Sequence, residues 1–294
     1  GVNGISFSPD GKMLATASDD YTVKLWDTST RKEIKTLTGH TSGVNGISFS
    51  PDGKMLATAS DDYTVKLWDT STRKEIKTLT GHTYTVWGIS FSPDGKMLAS
   101  ASTDNTVKLW DTSTRKEIKT LTGHTSSVNG ISFSPDGKML ASASGDNTVK
   151  LWDTSTGKEI KTLTGHTSWV NGISFSPDGK MLASASDDKT VKLWDTSTGK
   201  EIKTLTGHTS WVNGISFSPD GKMLASASDD KTVKLWDTST GKEIKTLTGH
   251  TSWVNGISFS PDGKMLASAS DDKTVKLWDT STGKEIKTLT GHTS

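Results

Sequence analysis

The chain has 294 residues, no cysteine, and 34 basic against 33 acidic side chains for a net charge of +1. That balance gives no global field to recruit nucleic acid, an anionic membrane surface or an acidic partner. The missing thiols exclude disulfides and thiolate metal sites. No apolar run approaches the roughly 20 residues that span a bilayer, and the N-terminal stretch lacks the charged and apolar regions of a signal peptide, so a soluble chain in a cytoplasmic setting is expected.

The sequence divides without remainder into seven blocks of 42, starting at Gly1, Gly43, Thr85, Ser127, Trp169, Trp211 and Trp253, with 35 of the 42 columns identical throughout. A period near 40 with four strand-like runs per unit marks a repeat fold whose single unit cannot bury its own faces. One domain over 1–294 is expected, with units 1–42, 43–84, 85–126, 127–168, 169–210, 211–252 and 253–294. Starting at Gly1 without methionine and ending in phase with its own start, the sequence suggests an engineered or trimmed chain.

The fifth block serves for all. Val170 to Ser176 carries Ile173 and Phe175 on one parity and predicts a first strand. Ser176-Pro177-Asp178-Gly179 predicts a turn, proline presetting φ and glycine tolerating positive φ. Met181 to Ser186 predicts a second strand of small and apolar residues, and Asp187-Asp188-Lys189 a polar turn. Val191, Leu193 and Trp194 predict a third strand. After a turn over 196–199, Glu201 to Leu205 alternates polar and apolar residues, as an outer strand does, and its lysines discourage pairing with other chains. Four antiparallel strands per unit, seven units and no polar caps at either end predict an all-β, seven-bladed β-propeller closed into a ring, in preference to a linear stack.

A Gly-His pair such as Gly207-His208, followed by a strand, a hydroxyl residue, an Asp turn and Leu-Trp-Asp as in Leu235 to Asp237, resembles the WD40 repeat family. The resemblance covers all 294 residues, and the near-identity of the blocks suggests a recently amplified gene or a symmetric design. It implies a noncatalytic binding platform, and it implies hydrogen-bonded tetrads: His40, Thr58, Asp62 and Trp68 in blade two; His166, Ser184, Asp188 and Trp194 in blade five; and His292 reaching Thr16, Asp20 and Trp26 across the ends of the chain. A buried aspartate needs donors, which a histidine, a hydroxyl and an indole supply. Histidines spaced once per blade around a ring do not converge as metal ligands must, so neither a metal nor a cofactor is expected.

Each blade is contiguous in this frame, so no strand from one terminus completes a sheet begun at the other, and the junction of blades seven and one is expected to open first. A monomer is expected, with blade-swapped oligomers as the alternative.

Any asymmetric site has to use the seven varying columns. The residue opening each block is Gly, Gly, Thr, Ser and then Trp169, Trp211 and Trp253. Trp87 interrupts a column of asparagines and Tyr84 a column of serines. Asp19, Asp61, Thr103, Gly145, Asp187, Asp229 and Asp271 form one turn column, and Tyr21, Tyr63, Asn105, Asn147, Lys189, Lys231 and Lys273 lie two positions on. Thr16 and Thr58 replace serines. Arg31, Arg73 and Arg115 alternate with glycine in the turn before the fourth strand. In an up-and-down sheet, six of these columns gather on or beside one end and the arginine column takes the other. The matching end is where WD40 partners usually dock, and clustered solvent-facing aromatics suit a peptide or protein partner. The alternative is a symmetric fold with no specific ligand, the tryptophans being the repeat's default residue. Catalysis is disfavoured, since the varying columns hold no His, Glu or Cys and no nucleophile beside a base. Nucleic acid is disfavoured despite lysines near aromatics, because Asp187, Asp229 and Asp271 stand beside them.

Overall fold

The structure is a computed structural model describing residues 1–294. In blade one, β1 (Val2–Phe7), β2 (Met13–Ser18), β3 (Val23–Asp27) and β4 (Glu33–Leu37) pair antiparallel in sequence order. Six further sheets repeat that order, making an all-β seven-bladed propeller. No helix is long and apolar enough to cross a membrane. First strands of neighbouring blades line the axis, and β1 meets the first strand of blade seven (Val254–Phe259) as closely as it meets that of blade two (Val44–Phe49).

The cores lie between blades. Ala183, Ala185, Val191, Leu193 and Leu205 of blade five close on Val212, Ile215, Phe217, Leu224 and Trp236 of blade six. Each blade therefore supplies half of two cores, and a blade alone would leave both halves in water. Alternation along the second strand sends alanine and leucine to these interfaces, while Ser184 stays buried because it is hydrogen-bonded.

Strand ends differ slightly from the sequence expectation. Ser176 belongs to the turn: its hydroxyl donates to Asp178 and accepts the Met181 N–H, fixing the hairpin before Gly179 takes φ of 74°. The third strand runs one residue further, to Asp195, whose carboxylate then accepts the N–H groups of Ser197 and Thr198. Thus the Trp-Asp pair splits its work between the core and the following turn. Lys189 at φ 74° and Arg31 at φ 61° occupy left-handed positions, which the asparagines and glycines elsewhere in their columns adopt more readily, although Tyr21 and Tyr63 also hold φ of 74°.

At the waist of the axis, glycine permits close backbone approach. A Cβ on Gly4 would stand 2.5 Å from the carbonyl oxygen of Asn45, and one on Gly46 would stand 2.7 Å from that of Trp87. Gly88 is looser, its nearest backbone oxygen being Asn129 at 3.6 Å. Gly4→Ala is expected to lower unfolding free energy by about 1–3 kcal/mol, and Gly88→Ala by less than about 1 kcal/mol. Urea denaturation of the two variants compares them, and equal losses would refute the close-approach account.

Candidate functional site

The tetrads are continuous networks. His166 Nδ1 lies 2.7 Å from Asp188 Oδ2, its Nε2 lies 2.7 Å from Ser184 Oγ, and Trp194 Nε1 donates to the same Oγ at 2.8 Å. A carboxylate only accepts, so Nδ1 carries the proton. Ser184, already accepting from the indole, donates to Nε2. Asp188 also accepts from the Thr167 N–H and from the backbone and hydroxyl of Thr190. Burial pushes its pKa up, but the bonds from His166 and Thr190 outweigh that and hold it well below the usual range. In blade two, His40, Thr58, Asp62 and Trp68 make the same arrangement.

Each histidine comes from the segment leaving one blade and bonds into the next, so the network is an interblade clamp. Across the chain ends, His292 reaches Asp20 at 2.9 Å and Thr16 at 2.8 Å, and it meets Trp26 through the Thr16 hydroxyl. The Thr293 N–H and Ser18 hydroxyl add bonds to Asp20 and to the Ser294 carbonyl. Burial opposes the charge on Asp20, yet its hydrogen bonds from Thr22, Thr293 and His292 bring it to about 2. Burial also lowers His292, against the pull of Asp20.

The varying residues sort by topology. Asp187 N–H donates to the Trp169 carbonyl at 2.9 Å, and the corresponding bond in every blade clasps the loop entering the first strand to the second-to-third turn. Tyr21, Tyr63, Tyr84, Trp87, Trp169, Trp211 and Trp253 belong to these two loops or to the strand start beside them and are 41% to 56% exposed. Lys189, Lys231 and Lys273 stand exposed at the tips of the turns. Thr16 and Thr58 are the exception, buried in mid-strand within the tetrads. Arg31 lies at the opposite end, where the Thr28 hydroxyl ties its turn to Gly11.

A β-bulge fixes the inner part of this end. Val2 pairs with Ser18 and Gly4 with Ala17, leaving Asn3 as the extra residue, and every blade repeats the irregularity. Bulges re-aim a side chain. Here the Asn171 amide donates to Asp187 Oδ1 at 2.6 Å and to the Val212 carbonyl of the next blade at 3.1 Å. Asn3, Asn45, Asn213 and Asn255 do the same with Asp19, Asp61, Asp229 and Asp271. In blade three Trp87 replaces the asparagine and Thr103 the aspartate, and the indole N–H donates to the threonine hydroxyl at 2.6 Å. In blade four a Cβ on Gly145 would come within 2.8 Å of Ser126 Oγ and would rest in ordinary contact on the Trp169 indole at 3.4 Å.

Asparagines, Trp87, Trp169, Trp211 and Asp187 enclose a funnel of about 320 Å³ at the mouth of the axis. Tyr63 and Tyr84 meet edge to face at a centroid distance of 6.0 Å further out. Burial raises the pKa of Asp187 against its bond from Asn171, and the neighbouring Asp188 adds to the rise. Asp229 is raised by burial and by Asp187 and Asp271. The asparagine ring escapes sequence reasoning because a near-uniform column looks structural. The signal that could have found it is the joint departure of Trp87 and Thr103 in one blade. No group of three or more potential ligands converges to hold a metal ion.

A family model described as the second β-propeller of echinoderm microtubule-associated protein matches residues 86–248. The WD domain, G-beta repeat model matches residues 1–27, 31–69 and 241–279. A 39-residue stretch is 44% identical to the general transcriptional corepressor TUP1 of Saccharomyces cerevisiae, covering 13% of this chain and 6% of that protein.

Proposed function

Because the chain belongs to the WD40 family of β-propellers, typically protein-binding scaffolds, we propose that it is a noncatalytic platform. Its docking face is the end formed by the loops entering the first strands and the second-to-third turns, and its partner is a peptide or protein. One observation carries this reading. All the exposed aromatic side chains stand at that end, whereas the phenylalanines at the opposite mouth, such as Phe175, are buried. Half-exposed indoles around a concave mouth lose water on contact at little cost in side-chain entropy, which makes them anchors for a partner.

A random peptide library selected against the immobilised protein tests it. Selected peptides are expected to lose at least about 30-fold in affinity against the variant carrying Trp169→Ala, Trp211→Ala and Trp253→Ala, from about 2 kcal/mol or more of lost anchor contact. They are expected to bind unchanged to a variant altered at Lys12, Lys54 and Lys96 on the opposite end. The reverse ranking, or selection of nothing, would refute the docking face and favour a symmetric fold without a specific ligand.

A further inference from the structure

The hydrogen bonds at the mouth say what kind of group the funnel takes. In the five blades that pair asparagine with aspartate, both amide hydrogens are spent, one on a carboxylate oxygen and one on the next blade. Each carboxylate of these pairs keeps one oxygen beyond its asparagine bond, so these five blades offer acceptors there, whereas Asn129 in blade four donates only to the Val170 carbonyl and keeps one N–H. Asp187 lines the funnel with Trp169 and Trp211, its second oxygen takes no hydrogen bond, and it makes no ion pair.

We propose that the funnel receives the guanidinium of an arginine in an extended segment of a partner protein, Asp187 accepting its N–H groups while Trp169 and Trp211 flank its plane. A guanidinium is the side chain with five donors and no acceptor, it stacks on indole faces, and it meets a carboxylate with two parallel bonds. An ammonium satisfies the charge but does not lie flat on an indole. The lysines at the rim, Lys189 and Lys231, make no ion pair with Asp187 and set a moderate repulsion that an entering cation meets. This inference rests on the docking face proposed above and names the chemistry of its partner.

The test titrates the full chain with blocked peptides Ac-Gly-Ser-Xaa-Ser-Gly-amide in which Xaa is arginine, lysine, citrulline or glutamate, following the indole N–H resonances of Trp169 and Trp211. Arginine is expected to bind at least tenfold more tightly than citrulline, which keeps the shape and loses the charge, and more tightly than lysine. Asp187→Asn keeps an acceptor for Asn171 and is expected to weaken the arginine peptide about tenfold without altering the melting temperature. Lys189→Gln with Lys231→Gln is expected to strengthen it severalfold. Equal binding of arginine and citrulline, preference for lysine or glutamate, or no shift at either indole would overturn the arginine site. If the library peptides of the preceding section still require the three tryptophans in that event, the docking face stands and its occupant is of other chemistry. If they do not, both readings fall. The comparison of peptides on the unaltered protein decides the matter even where a variant fails to fold.

Discussion

Asp188→Ala is expected to lower the unfolding free energy by about 3 kcal/mol, because it leaves buried donors without partners. His166 Nδ1–H, the Thr167 N–H, and the Thr190 N–H and hydroxyl all end on this one carboxylate. The side chain of His166 is 1% exposed, so water does not replace the lost acceptor without opening the interface. Ser184→Ala removes the acceptor of the Trp194 indole and the donor to His166, and is expected to cost about 1–2 kcal/mol. Equilibrium denaturation ranks the two, and a smaller loss for the aspartate variant would mean that its charge is solvated after all.

The same network makes the fold acid-sensitive, with the sign fixed by two kinds of group. Burial holds His124, His250 and His292 below their ordinary value of 6.5, so the unfolded chain takes up protons first and stability falls as pH drops below that value. Asp20 and Asp146 lie at about 2 against an ordinary 3.8. Their contribution is complete above 3.8 and is lost as pH falls from there through about 2. The urea midpoint is therefore expected to be flat above pH 7, to decline gently below 6.5 and to drop steeply below 4. A midpoint that holds steady down to pH 3 would contradict the lowered values of these histidines and aspartates.

The ring and its strands are legible because each strand carries a complete local signal. Proline and glycine punctuate the hairpins, alternation marks the outer strand, and repetition multiplies a weak pattern by seven. The tetrad is legible only through resemblance, since residues as far apart as His166 and Asp188 meet because of how one blade enters the next. The mouth is half legible. Trp169 and its equivalents stand out as departures from uniformity, whereas the role of Asn171 depends on a bulge that no residue type announces, and its second bond falls 41 positions away. The Arg and Gly column reads as variation in a turn; its reason is the left-handed backbone that Arg31 shares with Gly157. Arg31 holds that conformation with its Nε buried and unbonded.

A cysteine placed at Ser18 is expected to be labelled by a thiol reagent at least tenfold faster than one placed at Ser60, although both positions are fully buried. The two serines occupy the same place in blades one and two and bond to equivalent carbonyls, Ser18 to Gly1 and Ser60 to Gly43. The chain has no other cysteine, so each variant reports a single thiol. Packing does not separate the two interfaces: ten buried residues form the core between blades seven and one, and ten form the core between blades one and two. The clamp of His292 on Asp20 matches that of His40 on Asp62. What differs is the tether. When blades one and two part, the segment between Leu37 and Val44 still joins them, and a short linker keeps its ends at millimolar effective concentration, so the interface recloses. In a polypeptide of residues 1–294 alone, blades seven and one that part are joined only through the other blades, and the returning blade must find its neighbour across a wider volume. The open state at that seam is therefore the more populated one, and labelling through brief opening follows its population. Joining residue 294 to residue 1 with a flexible linker is expected to bring the Ser18 rate down to the Ser60 rate. If the unjoined chain already labels both alike, side-chain packing seals the ring as firmly as a covalent connection.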